Sequence, residues 1–215
     1  MADTRLLIAD DHPLIREGLE LALRNSLQGL IIDSVGSIGE AEAVIGRHPG
    51  GYRLVLLDLV LPDARGFSGF LRLQHLLGQA PIVLISGNQR PELISAARAL
   101  GAAAYLPKTQ RLDELVGSLR RVLGGERVFP ATADSRATSV ARERLSELSG
   151  AQLRVMLALA DGRLNKQIAG DLNVTEATVK AHMTAIFRKL GVNNRTQAIL
   201  AMQPLLGEQA PAEGL

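Results

Sequence analysis

Hydrophobic positions in the first 125 residues follow two alternating patterns. Short unbroken aliphatic runs occur at "RLLIA" (5–9), "LIIDSV" (30–35), "LVLLD" (54–58), "PIVLIS" (81–86) and "AAAYL" (102–106). Such runs predict strands buried on both faces. Between them, apolar residues recur at helical spacing. Leu14, Ile15, Leu19 and Leu23 mark the first helix, and Ala41, Val44 and Ile45 the second. Phe67, Phe70, Leu71 and Leu73 mark the third, Leu93, Ala97 and Leu100 the fourth, and Leu112, Leu115, Val116 and Leu119 the fifth. Five strands alternating with five helices predict an α/β unit over residues 1–125, a doubly wound parallel sheet covered on both faces.

The pattern then changes. Gly124-Gly125 closes the first unit, and residues 126–147 read as a polar linker, helical from about Ser135. From 148 to 203 no strand-like run appears. Helical spacing at 149–162, 165–172, 175–190 and 195–203 predicts a small all-α four-helix domain. Ser149 with Gln152 forms a capping-box pair, and Thr175 is placed to cap the third of these helices. Gly162 and Gly191 stand where helix ends favour a left-handed residue. Residues 204–215, starting at a proline, are expected to form a disordered tail.

Composition narrows the chemistry. With four Phe, two Tyr and no Trp, the core must be aliphatic. The absence of cysteine excludes disulfides, thiolate metal sites and cysteine nucleophiles. The start lacks a secretory signal pattern, and no apolar run approaches the roughly 20 residues that span a bilayer, so a soluble, cytoplasmic protein with no membrane partner is expected. Residues 1–125 balance 13 basic against 13 acidic side chains, whereas residues 149–200 carry seven basic and three acidic ones. That excess points to an anionic partner for the second domain.

In an open parallel sheet, ligands bind at the carboxyl ends of the strands. Asp10 and Asp11 end the first strand, Asp58 the third and Ser86 the fourth, and Lys108 follows the fifth. Crowded carboxylates favour a divalent cation, and oxygen ligands beside a phosphate suit Mg²⁺. Asp58 is then placed to attack a phosphoryl group, with Lys108 and Ser86 sharing the charge on its oxygens. The stretches "IADDHPLIREGL", "VLLDLVLPD", "LISG" and "AAAYLPKT" resemble the receiver domain of bacterial two-component response regulators, whose fold is flavodoxin-like. The resemblance implies Asp58 as phosphoacceptor from a cognate histidine kinase. It also implies Asp10, Asp11, Asp58 and the Val60 carbonyl as Mg²⁺ partners, and Ser86, Tyr105 and Lys108 as the phosphoryl-binding and switch set. Pro107 precedes Lys108 and no proline follows it, so no cis peptide is expected there. Asp63 reads as a turn residue, and His12, His48 and His75 as solvated bystanders.

In the second domain, "NKQIAGDLNVTEATVKAH" outlines two helices joined by a tight turn at Asn173-Val174, the form of a helix-turn-helix. On its second helix Val179, Met183, Ile186, Phe187 and Leu190 gather on one side. The other side carries Ala177, Ala181, Thr184 and Arg188, flanked by Thr178 and Lys180, and such a small, basic face suits a DNA major groove. Lys166, Lys189 and Arg195 are candidates for phosphate contacts. His182 falls toward the apolar side, where packing or a phosphate contact is expected rather than a base contact.

"NKQIAGDL", "TEATVKAHMTAIFRKLGV" and "NRTQAI" resemble the LuxR-type DNA-binding domain, and with the receiver they give the NarL/FixJ architecture. The resemblance implies Lys180, Ala181 and Thr184 as base-facing positions, and Ile199, Leu200 and Met202 as a dimer seam. It further implies a homodimer on activation, with the basic domain masked against the receiver or not dimerised at rest. The chain is thus expected to be a transcriptional response regulator that binds promoter DNA and is not an enzyme. The alternatives are a phosphorylation-independent transcription factor with a receiver-like dimerisation domain, and an aspartate-nucleophile phosphatase, whose D-x-D spacing Asp10-Asp11-His12 lacks.

Overall fold

A computed structural model of the chain describes residues 4–27, 29–64, 66–130, 147–160 and 162–206, with the backbone alone at 92, 200 and 202–206. Five strands, β1 (Thr4–Ala9), β2 (Leu30–Val35), β3 (Tyr52–Asp58), β4 (Ile82–Ser86) and β5 (Ala104–Pro107), form one sheet in the order β2-β1-β3-β4-β5. Every pairing between these strands is parallel. The helices between and after them are α1 (Pro13–Ser26), α2 (Ile38–Arg47), α3 (Ser68–Leu77), α4 (Pro91–Leu100) and α5 (Leu112–Leu123).

The unbroken apolar runs follow from coverage of both faces. Leu6, Ile8, Leu54, Leu56, Val83 and Leu106 point to one side, where they meet Leu19 and Leu23 of α1 and Leu115 and Leu119 of α5. Their neighbours Leu7, Val55, Leu57, Leu84 and Tyr105 point to the other, against α2, α3 and α4. Strand order reverses between β1 and β3, so the loops after these strands part and leave a crevice at the sheet's carboxyl edge.

Asp63 is more than a turn residue. Its carboxylate accepts the Ile38 and Gly39 N–H groups at 2.9 and 2.8 Å, capping α2 from a distant loop. The sheet unit also continues past Gly125 into the expected linker. Val128 forms a parallel bridge with Ala104, donating to the Ala103 carbonyl and accepting from the Tyr105 N–H, each at 3.0 Å. The Arg98 guanidinium lies 4.8 Å from the Phe129 ring centroid. The helix expected from Ser135 falls within residues 131–146, outside the described residues.

The second domain comprises α6 (Gly150–Ala160), α7 (Asn165–Asp171), α8 (Glu176–Leu190) and α9 (Arg195–Leu206). The expected caps are in place. Ser149 N–H donates to Gln152 Oε1 at 3.1 Å, Gln152 N–H returns to Ser149 Oγ at 3.3 Å, and Thr175 Oγ1 accepts the Thr178 N–H at 3.1 Å. Gly162 and Gly191 have φ of 81° and 66°. The α7–α8 turn runs through Asn173 at φ 51°, a left-handed conformation that asparagine tolerates. Leu153, Met156, Ile168, Val179, Ile186, Leu190 and Ala198 make the core of this domain. The last helix runs through Pro204 to Leu206, so the disordered tail expected from 204 does not start there. Proline's fixed φ suits a helix, and its cost is one missing N–H bond and crowding of the preceding turn. Residues 207–215 are not among the described residues.

Candidate phosphoacceptor pocket and nucleic-acid interface

The strand ends bring the predicted polar set together. Asp10, Asp58 and Ser86 are nearly fully buried, at 2%, 5% and 1% exposure, although each is polar. Lys108 resolves much of that cost. Its Nζ lies 2.8 Å from Asp10 Oδ2 and 2.6 Å from Asp58 Oδ2, bridging two strands. Asp58 Oδ1 also accepts the Val60 N–H at 3.1 Å. Burial pushes the Asp58 carboxyl above its ordinary pKa, against the pull of Lys108 and the Val60 N–H. Burial would lower Lys108, but its bonds to Asp10 and Asp58 outweigh that and raise it. One ammonium shared by two carboxylates stays charged and neutralises neither fully.

Asp11 stands at the exposed rim. His12 is exposed, as expected, with its ring 59% open to solvent, and its Nδ1 lies 2.6 Å from Asp11 Oδ1 and 3.1 Å from Asp10 Oδ1. Ligand atoms of Asp10, Asp11, His12 and Asp58 all fall within 4.8 Å of one another. Arg16, one turn into α1, donates from Nη1 to the Asp10 carbonyl at 2.5 Å and holds this loop. Ser86 Oγ accepts the Asn88 N–H at 3.1 Å. Tyr105 is turned inward and fully buried, its hydroxyl donating to the Asn88 carbonyl. Burial raises the Tyr105 pKa. No cis peptide occurs among the described residues, as the sequence around Lys108 predicts. Sequence reading missed Arg16 and Asn88; the only signals were their spacings from Asp11 and Ser86.

On α8, Ala177, Lys180, Ala181, Thr184 and Arg188 are exposed, and Thr178 is half-buried. Lys166 of α7 is exposed nearby in sequence. Among the described residues, the side chains of Lys166, Lys180 and Arg188 make no hydrogen bond or ion pair. His182 is half-buried. Two of the expected phosphate contacts turn inward instead. Lys189 Nζ donates to the Glu147 carbonyl and to Gln152 Oε1, each at 2.8 Å. Arg195 Nη2 donates to the Leu159 and Arg163 carbonyls at 3.1 and 2.8 Å, closing the end of α6. These bonds take two of the three Lys189 donors and the Nη2 group of Arg195, and anchor both side chains within the domain. Ile199 is partly buried against the core, while the side chains of Leu200 and Met202 lie outside the described residues.

A flavodoxin-like sheet with an acidic crevice at its carboxyl edge, followed by a helix-turn-helix, defines a class of two-domain regulator. Comparison with known proteins agrees. Residues 6–120 match the response regulator receiver domain, and residues 146–202 match the bacterial regulatory proteins of the luxR family. The chain is 32% identical over 208 residues to the glycerol metabolism activator of Pseudomonas putida, covering 92% of this chain and 94% of that protein. It is 31% identical over 210 residues to the transcriptional regulatory protein YdfI of Bacillus subtilis (strain 168), covering 93% and 95%. Among solved structures it resembles a LuxR family DNA-binding response regulator from Silicibacter pomeroyi, with TM-score 0.52 and 30% identity over 60% of this chain and 98% of that one. RcsB from Salmonella enterica serovar Typhimurium shares the fold, with TM-score 0.55 and 19% identity over 93% and 98%. The chain belongs to the response regulators of the NarL/LuxR family: a receiver joined to a LuxR-type DNA-binding domain, acting in transcription within a two-component system.

Proposed function

We propose that Asp58 is the phosphoacceptor of this regulator and that its acyl phosphate controls dimerisation on promoter DNA. The observation that supports this most is the pair of bonds from Lys108 to Asp58 and Asp10 inside a buried crevice. An Asp58 oxygen attacks phosphorus of a phosphohistidine on the partner kinase. The O–P bond forms as the P–N bond breaks, and the departing imidazole keeps the electron pair and takes a proton from solvent. Lys108 faces the new phosphoryl oxygens, the Ser86 hydroxyl turns to donate to them, and the Val60 N–H holds the other carboxylate oxygen. The donor set fits Mg²⁺: three carboxylates at the mouth, with Asp11 exposed to bring the hydrated ion in. Asp10, Asp11, Asp58 and the Val60 carbonyl would hold the ion, which supplies charge neutralisation at the phosphoryl oxygens when bound.

The protein accepts a phosphoryl group rather than turning over small phosphate esters, works in the cytoplasm, and dimerises through α9. No helix among the described residues is long and apolar enough to cross a membrane. Intact-mass measurement after incubation with Mg²⁺ and acetyl phosphate tests the acceptor. One added phosphoryl group in the wild type and none in Asp58→Asn is expected; continued labelling of the variant would refute Asp58. Failure of both acetyl phosphate and beryllofluoride to modify the wild type would favour the phosphorylation-independent reading.

A further inference from the structure

The exposed face of α8 carries a methyl-rich stripe, with Lys180 beside it and Arg188 one turn beyond it as its free proton donors. Ala177, Ala181 and Thr184 are exposed and fall at i, i+4 and i+7, so they line one stripe about 10 Å long. The two alanines expose a methyl and nothing else. The Thr184 hydroxyl is already engaged, since Oγ1 donates to the Lys180 carbonyl at 3.1 Å. With that hydrogen held by the preceding turn, Thr184 presents outward a methyl and an oxygen without a proton to give. Lys180, beside the stripe, has no side-chain partner among the described residues and is free to reach outward.

In the major groove, the thymine C5-methyl is the base-edge group that a methyl stripe complements, and guanine O6 and N7 are the acceptors that a lysine ammonium complements. Short side chains let the helix approach closely enough for methyl–methyl contact. Resting on the DNA-binding reading above, we propose that α8 reads thymine methyl groups through Ala181 and Thr184, next to a guanine read by Lys180. Each half-site then holds a G·C pair beside one or two pairs whose thymine methyl faces the helix.

Replacing thymine by uracil removes that methyl and leaves every hydrogen-bonding group of the base intact. The full-length protein, with Mg²⁺ and beryllofluoride, is used to select duplexes from a random pool. Affinity is then measured by fluorescence anisotropy with each half-site thymine replaced in turn by uracil. At one or two positions per half-site uracil should weaken binding about fourfold, as expected for losing one buried methyl. That penalty should vanish in Thr184→Ser or Ala181→Gly. Serine keeps the hydroxyl and its bond to Lys180, so it changes the methyl alone. Substituting 7-deazaguanine should weaken the wild type and leave Lys180→Ala unaffected. Tolerance of uracil at every position, or a penalty unchanged in both variants, would overturn the proposal while leaving DNA binding intact. Selection of no duplex at all would instead overturn the DNA-binding reading itself.

Discussion

Asp33 shows how one residue's charge is tied to stability far from the crevice. Its carboxylate accepts from Arg5 Nη1 at 2.7 Å and from the Tyr52 hydroxyl at 2.6 Å, joining β1, β2 and β3. Burial would raise its pKa, but the Tyr52 and Arg5 bonds outweigh that and lower it below the ordinary 3.8. Tyr52 is correspondingly raised by burial and by Asp33. A carboxyl that gives up its proton more readily when folded favours folding in its charged form. The contribution is therefore present above pH 3.8 and lost as pH falls through the lower folded value. Asp33→Asn should cost about 1 kcal/mol near neutral pH, the scale of a charge-assisted hydrogen bond at a partly buried site. Urea denaturation of wild type and variant should show the gap shrinking at low pH. A gap unchanged by pH would mean that the carboxylate's charge is not its source.

At the scale of elements, the two directions of basic side chains on the helix-turn-helix make separable expectations. Lys180 and Lys166 point outward without partners among the described residues, whereas Lys189 and Arg195 hold α8 and α9 to α6. Lys166→Ala should weaken operator binding and reduce the slope of log affinity against log salt by about one. Lys189→Ala and Arg195→Ala should lower the melting temperature of the DNA-binding domain and leave that slope unchanged. Equal slope losses in all three would place the inward pair on DNA after all. This contrast also marks the limit of sequence reading. Charge and helical spacing are visible in a sequence, but the direction of a long side chain near a helix end is set by carbonyls from another helix. The strands were legible because both sheet faces are covered, and the crevice was legible because strand ends converge. Asp63 capping α2, His12 on the acid pair and Asn88 under Tyr105 were not, since each is defined by a partner brought in by the fold. Val128 was missed because a single bridged residue leaves no periodicity.

Across the whole molecule, α6 lies against α3 and α4, and α9 lies against α4. The side of α8 that carries Ala177, Lys180, Ala181, Thr184 and Arg188 stays exposed, so the receiver does not cover it, contrary to one arrangement that the family resemblance implies. The receiver meets α9 through α4. If α9 is the dimer seam, as proposed above, its contact with α4 would place control at dimerisation rather than at groove access. The seam near α6 is lined by Leu71, Leu76, Ala158 and Leu172, with the ion pairs Glu42–Arg72 and Arg163–Asp171 at its walls. Ala158→Arg would force a further guanidinium among these leucines and beside Arg72, Arg154 and Arg163, a cost that separation of the domains relieves. The variant should show a larger radius of gyration by small-angle scattering and should dimerise without beryllofluoride. Its receiver should still take up one phosphoryl group, because the crevice lies at the far ends of the strands. A variant that opens but remains monomeric would show that the seam does not restrain α9. One that remains compact and monomeric would show that Ala158 does not hold the seam.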